Sequence, residues 1–132
     1  MDRIDQLIRQ VLSEDPRVVF AYLYGSYTED PSKARDVDLA VYSTSEAEPL
    51  ALAADLKIAL YYATKIPADH FDVQVINNLV EKGDLFSLIF LRRLFATGIM
   101  LVDRDRNKKG DFFEKYGLKY RECEGLIGEL LA

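Results

Sequence analysis

Asp36 and Asp38, with one valine between them, interrupt the otherwise apolar stretch "DVDLAVY", and a third aspartate, Asp72, recurs in "FDVQVI". Both stretches read as strands, on which successive side chains point to opposite faces. Asp36 and Asp38 then share one face while Val37, Leu39 and Val41 take the other. Asp72, Gln74 and Ile76 likewise oppose Phe71, Val73 and Val75. If the two strands are neighbours, three carboxylates converge and raise one another's pKa, a cost that a cation removes. A donor set made only of oxygen suits Mg²⁺, which accepts one or two protein carboxylates together with waters and substrate phosphates. Metal-dependent phosphoryl and nucleotidyl transfer sites are built in this way. Zinc is disfavoured, because His70 and Cys123 are the only histidine and cysteine in the chain.

Gly25-Ser26 supplies the other half of such a site. It follows "RVVFAYLY", a run that reads as a strand buried on both faces. A glycine there lets backbone amides approach an anion closely, and the serine hydroxyl adds a donor for the distal phosphates of a nucleotide. Nine residues, Tyr27 to Arg35, separate the pair from Asp36. Within that spacer Glu29 and Asp30 would oppose an anion if they faced it, and Lys33 or Arg35 would compensate. Arg92 and Arg93 could reach a phosphate, although acids early and bases late on a helix are ordinary dipole complementarity. Tyr22, Tyr24, Tyr61 and Tyr62 could stack on a base, but packing is the simpler reading of tyrosines near a sheet or on a helix.

The elements that must position these groups follow from periodicity. Ile4, Leu7, Ile8, Val11 and Leu12 repeat at helical spacing, predicting an amphipathic helix that ends near Asp15-Pro16. Tyr27 to Arg35 reads as a loop or one short helical turn. Leu50 to Thr64 is a helix with Leu52, Leu56, Ala59, Leu60 and Ala63 on one stripe, and Pro67 marks the turn after it. Asp84 can cap a helix carrying Leu85, Leu88, Ile89, Leu91, Leu94 and Phe95, with Gly98 to end it. "IMLVD" is a short strand. The "RDRNKK" run, Arg104 to Lys109, reads as a solvated turn. From about 111 to 131 a last helix carries Phe113, Tyr116, Tyr120, Ile127 and Leu131, weakened by Gly117, Gly125 and Gly128 at roughly 1 kcal/mol each.

A chain of 132 residues, 49% of them hydrophobic, has the size of one domain with a core of its own. Seventeen basic and 22 acidic residues give a net charge of −5, which repels nucleic acid and leaves direct nucleic-acid binding unexpected. A lone cysteine excludes an internal disulfide and fits a reducing compartment. "MDRIDQLIRQVLSED" lacks the apolar core of a signal peptide, and no stretch is long enough to span a membrane. The expectation is a soluble, cytoplasmic protein.

The succession of strand, Gly-Ser, spacer, Asp-x-Asp strand, helix and a strand with a third aspartate resembles the nucleotidyltransferase fold of the DNA polymerase beta superfamily. The likeness covers roughly Val18 to Val75. The length and the stretch "LRRLFATGIMLVDRD" extend it: the chain is similar to the minimal nucleotidyltransferases of prokaryotes, the MNT-type antitoxins paired with HEPN-domain toxins. That resemblance implies an α/β (α+β) domain over 1–132 with a mixed sheet of about four strands flanked by helices. It implies that Gly25 and Ser26 hold the triphosphate of ATP. Asp36 and Asp38 would ligate two Mg²⁺ ions, and Asp72 the one that activates the attacking hydroxyl. The implied reaction transfers AMP to a tyrosine of the partner HEPN toxin, with pyrophosphate leaving.

Two alternatives stay open on the residues alone. The site could have decayed, leaving an antitoxin that acts by binding, or the chain could modify a small molecule, with a dimer or partner completing its pocket. Once the sheet and its helices are counted, only about 20 to 30 residues remain, too few for a separate domain that grips a small substrate. The expected acceptor is therefore another protein, with the helix at about 111–131 as its docking element.

Overall fold

The computed structural model describes residues 3–32 and 35–131; Lys33, one of the two cations weighed for the spacer, lies outside them. In chain order the elements are α1 (Arg3–Glu14), β1 (Val18–Tyr24), α2 (Ser26–Glu29), β2 (Val37–Ser43), α3 (Pro49–Thr64), β3 (Phe71–Val75), α4 (Leu79–Lys82), α5 (Leu85–Thr97), β4 (Ile99–Asp103) and α6 (Arg106–Leu131). A single 3₁₀ turn, Ala68–His70, leads into β3. The four strands form one sheet in the order β3-β2-β1-β4. β1 pairs antiparallel with both β2 and β4, whereas β2 and β3 run parallel, so the sheet is mixed.

Each face of the sheet buries one side-chain set. Val37, Leu39 and Val41 of β2 and Phe71 and Val73 of β3 pack with Ile8 and Leu12 of α1 and Leu52, Leu56 and Leu60 of α3. The opposite face carries Phe20, Tyr22, Ala40 and Ile76, covered by Leu91 and Leu94 of α5 and Phe112 of α6. β1, the central strand, is buried along both faces from Val18 to Leu23, as its unbroken apolar run requires. Aromatic side chains fill the second layer: Phe20 stacks on Tyr42 at 4.9 Å, and Phe95 meets Phe113 edge-on at 4.6 Å.

Local signals set the boundaries. Asp84 caps α5 by accepting from the Ser87 amide at 2.8 Å, and Gly98 ends the helix by donating to the Leu94 carbonyl, also at 2.8 Å. Glu48 caps α3 through the amides of Leu50 and Ala51. Two expectations need correction. The last helix begins at Arg106, not near 111, because Asp105 accepts from the amides of Asn107 and Lys108 and draws most of the basic run into its first turn. Lys109 of that run bridges to Asp103 at 2.5 Å instead of standing free in solvent. The turn of helix α4 was not foreseen, since four residues give too short a window for periodicity.

Candidate active site

Backbone pairing brings the aspartates into one region. The parallel register of β2 and β3 sets Asp38 beside Asp72, and the antiparallel register of β1 and β2 sets Asp38 beside Tyr24. Asp36 lies immediately before β2 and is exposed, as is Asp72; Asp38 is half-buried. Their face is the one that α5 covers further along the sheet, while the alternate residues Val37, Leu39, Phe71 and Val73 enter the opposite core. The face assignment made from alternation therefore holds for Asp38 and Asp72, while Asp36 lies just outside the strand.

The carboxylates sense one another. Burial pushes the Asp38 carboxyl above the ordinary carboxylate range, and the charges of Asp72 and Asp36 push it further in the same direction. A pKa raised by folding means that ionised Asp38 costs stability at neutral pH, a cost that fades as the pH falls through the raised value. Tyr24 shows the same field: burial raises its phenol, with Asp38 and Asp72 adding to the shift. Among the described residues no basic side chain pairs with any of the three aspartates.

Gly25 joins the other half to this cluster. Its backbone is in the left-handed region, with φ 79°, and a Cβ added there would overlap the Asp38 carboxylate, 3.1 Å from its Cγ. Only glycine fits so close to that carboxyl group. Ser26 opens α2 and is exposed. The bend is held from below by Thr28, whose amide and hydroxyl donate to the Gly25 carbonyl at 3.1 and 2.7 Å. Gly25 and Ser26 border a cleft of about 720 Å³ between the end of β1 and α5. Tyr24, Phe90 and Leu94 form its apolar wall, with Tyr24 edge-on to Phe90 at 5.4 Å; Thr28, Glu29, Arg93 and Thr97 supply its polar groups. The three aspartates do not line the cleft themselves; they lie beyond Gly25.

The donors suit a hard cation: three carboxylates from adjacent strand ends, charged alike and beside the Gly25-Ser26 bend. They are not gathered into a cage. Among the described residues no group of three or more His, Cys, Asp or Glu side chains is placed so as to hold a metal ion. Backbone placement and donor chemistry fit Mg²⁺, although the side chains are not arranged as a ready-made metal cage.

Several residues take places that periodicity did not assign. Arg93, read from the sequence as dipole complementarity, faces the Gly25-Ser26 bend across the cleft, and Phe90, Leu94 and Thr97 of the same helix join it. Spacing on α5 could have grouped them, but the sequence does not say what that face meets. Glu29 lines the cleft; Asp30 instead accepts from the Ser32 hydroxyl at 2.7 Å. Tyr22 and Tyr24 pack as expected, whereas Tyr61 and Tyr62 are exposed on α3 and tilt against each other. His70 is exposed, and Cys123 is a free, half-buried thiol. No helix among the described residues is long and apolar enough to cross a membrane.

Residues 6–107 match the family described as polymerase beta, nucleotidyltransferase. No curated protein matches the chain at a significant level. Solved structures share its fold. A toxin-antitoxin structure with AMP-PNP superposes with a TM-score of 0.61 at 18% identity, covering 97% of this chain and 98% of that one. A tri-AMPylated HEPN toxin of Shewanella oneidensis in complex with MNT antitoxin gives 0.58 at 18% identity, covering 98% and 97%. The toxin-antitoxin MntA-HepT gives 0.57 at 16% identity, with the same coverage.

Proposed function

This chain belongs to the polymerase beta nucleotidyltransferase family, and from that premise we propose that it is a Mg²⁺-dependent adenylyltransferase. It would transfer AMP from ATP to a tyrosine hydroxyl of a partner HEPN toxin and so act as an antitoxin in the cytoplasm. The observation that carries this reading is the double role of Gly25, which lines the cleft and lies against Asp38. A triphosphate held at the bend is thereby presented to the acidic cluster. Relatives of the same fold, one with AMP-PNP and one with a tri-AMPylated toxin, support the choice of nucleotide and acceptor.

In this reading the Gly25 and Ser26 amides and the Ser26 hydroxyl orient the phosphates. Asp36, Asp38 and Asp72 would hold the Mg²⁺ ions, which when bound supply charge neutralisation at the phosphates and a lowered pKa for the attacking hydroxyl. The tyrosine hydroxyl gives up its proton to solvent as its oxygen bonds to the α-phosphorus, the bond from that phosphorus to the bridging oxygen breaks, and pyrophosphate departs in line. Asp72 is exposed, so an incoming protein side chain can reach it. The exposed leucines of α6, Leu118, Leu126 and Leu130, would form part of the surface on which the toxin docks.

Incubation with a HEPN protein encoded beside it, ATP labelled at the α-phosphate and Mg²⁺ should label a toxin tyrosine. The Asp36→Asn/Asp38→Asn variant should abolish the label while melting no lower than the parent. Labelling that persists in that variant would end the mechanism. Glu29 on the cleft wall favours a second reading, a nucleotide site that has decayed in an antitoxin acting by contact alone. Calorimetry separates the two, because a decayed site should give no heat with ATP and Mg²⁺.

A further inference from the structure

Arg92 and Arg93 are neighbours in sequence and both border a shallow hollow with Ile89, Ala96 and Leu131, but only Arg93 also lines the cleft. Arg92 lies within electrostatic reach of Tyr116 on α6, whereas Arg93 lines the cleft across from Gly25, Ser26 and Thr28. Arg93 is the one cation among the described residues that border the cleft, and Glu29 is the one anion. No ion pair among the described residues engages Arg93. Its backbone carbonyl accepts from the Thr97 hydroxyl at 2.8 Å, so two polar residues of the wall are fixed one helical turn apart.

The site also has a direction. Tyr24, beside Gly25, pairs with Asp38 across β1 and β2, and Asp38 pairs with Asp72 across β2 and β3, which places the acidic cluster at the β2 side of the bend. Arg93 belongs to the facing α5 wall. A phosphate chain anchored at the bend with its reacting phosphorus toward the aspartates has its other end free to approach that wall. There it would meet a guanidinium, whose planar fork suits phosphate oxygens better than a point charge does.

We propose that Arg93 binds the terminal phosphate of the nucleotide and is the residue by which this site prefers a triphosphate to a diphosphate. The inference rests on the nucleotidyltransferase reading and deepens it: counter-charge for the departing pyrophosphate comes from α5, while the turn after Gly25-Ser26 contributes the repulsive Glu29. Exposed Arg92, which does not line the cleft, serves as the internal control.

The test is calorimetric titration of the full chain with ATP and with ADP, both with Mg²⁺. The parent should bind ATP roughly tenfold more tightly than ADP, the scale of one charge-assisted contact. Arg93→Ala should lose that preference by weakening ATP alone, Arg93→Lys should keep part of it, and Arg92→Ala should keep all of it. Melting curves of the three variants should match the parent, since Arg93 is exposed. An Arg93→Ala protein that retains the ATP preference, or that loses ATP and ADP equally, overturns the assignment to the terminal phosphate. A parent that binds neither nucleotide overturns instead the reading on which the assignment rests.

Discussion

At the scale of single residues, Gly25 decides whether the two halves of the site can meet. A side chain there faces two independent penalties, a φ of 79° that L residues rarely adopt and overlap with the Asp38 carboxylate. Gly25→Ala should therefore destabilise the fold by about 1 to 3 kcal/mol, read from urea denaturation, and should also abolish nucleotide binding. A substitution that leaves stability and binding unchanged would show that the bend is not held against Asp38. The sequence made Gly25, Ser26, Asp36, Asp38 and Asp72 visible because their types are chemically unusual within apolar surroundings. It could not reveal Arg93 in the same way, because arginine on a helix has an ordinary electrostatic explanation and only the packing of α5 tells which arginine borders the cleft.

At the scale of elements, the link between α1, β1 and α3 illustrates how a turn is braced by charge. Arg17 donates to Asp15 through Nη2 at 2.8 Å and Nε at 3.0 Å, and to Asp55 of α3 through Nη1 at 3.0 Å. The Arg17 side chain, through these hydrogen bonds, holds the Asp15 carboxyl below its ordinary value of 3.8, more than offsetting the opposing effect of burial. A carboxylate pKa depressed by folding contributes stability that is complete above the ordinary value and is lost as the pH falls through the lower folded one. Melting temperatures should thus decline as the pH falls below about 4, and Arg17→Ala should flatten that decline while costing about 1 kcal/mol or less at neutral pH. Thermal melts across that range check both. Strand and helix identities were legible from period and caps, but α4 and the true start of α6 were not. A four-residue helix carries no periodicity, and the Asp105 cap competes with the reading of its basic neighbours as a turn.

For the whole molecule, stability and ligand binding should be linked through the acidic cluster. Three like charges at the ends of adjacent strands are relieved by a divalent ion, so Mg²⁺ with ATP should raise stability by about 2.7 kcal/mol at a hundredfold excess over Kd, and the melting temperature with it. Asp72→Asn should shrink that shift. Identical melts with EDTA and with Mg²⁺ plus ATP would mean that the cluster does not act as a site. What the sequence determined by itself was the alternation that puts Asp38 and Asp72 on the face opposite Val37, Leu39, Phe71 and Val73, and the succession of elements that identifies the fold. Those are properties of neighbours along the chain, where period and residue type carry the information. The tertiary structure alone decided that β2 and β3 pair in parallel with Asp38 beside Asp72, that Gly25 rests on Asp38, and that Arg93 rather than Arg92 closes the cleft. Each of these depends on the angle and register at which distant segments meet, which side-chain packing across the sheet fixes and local periodicity does not.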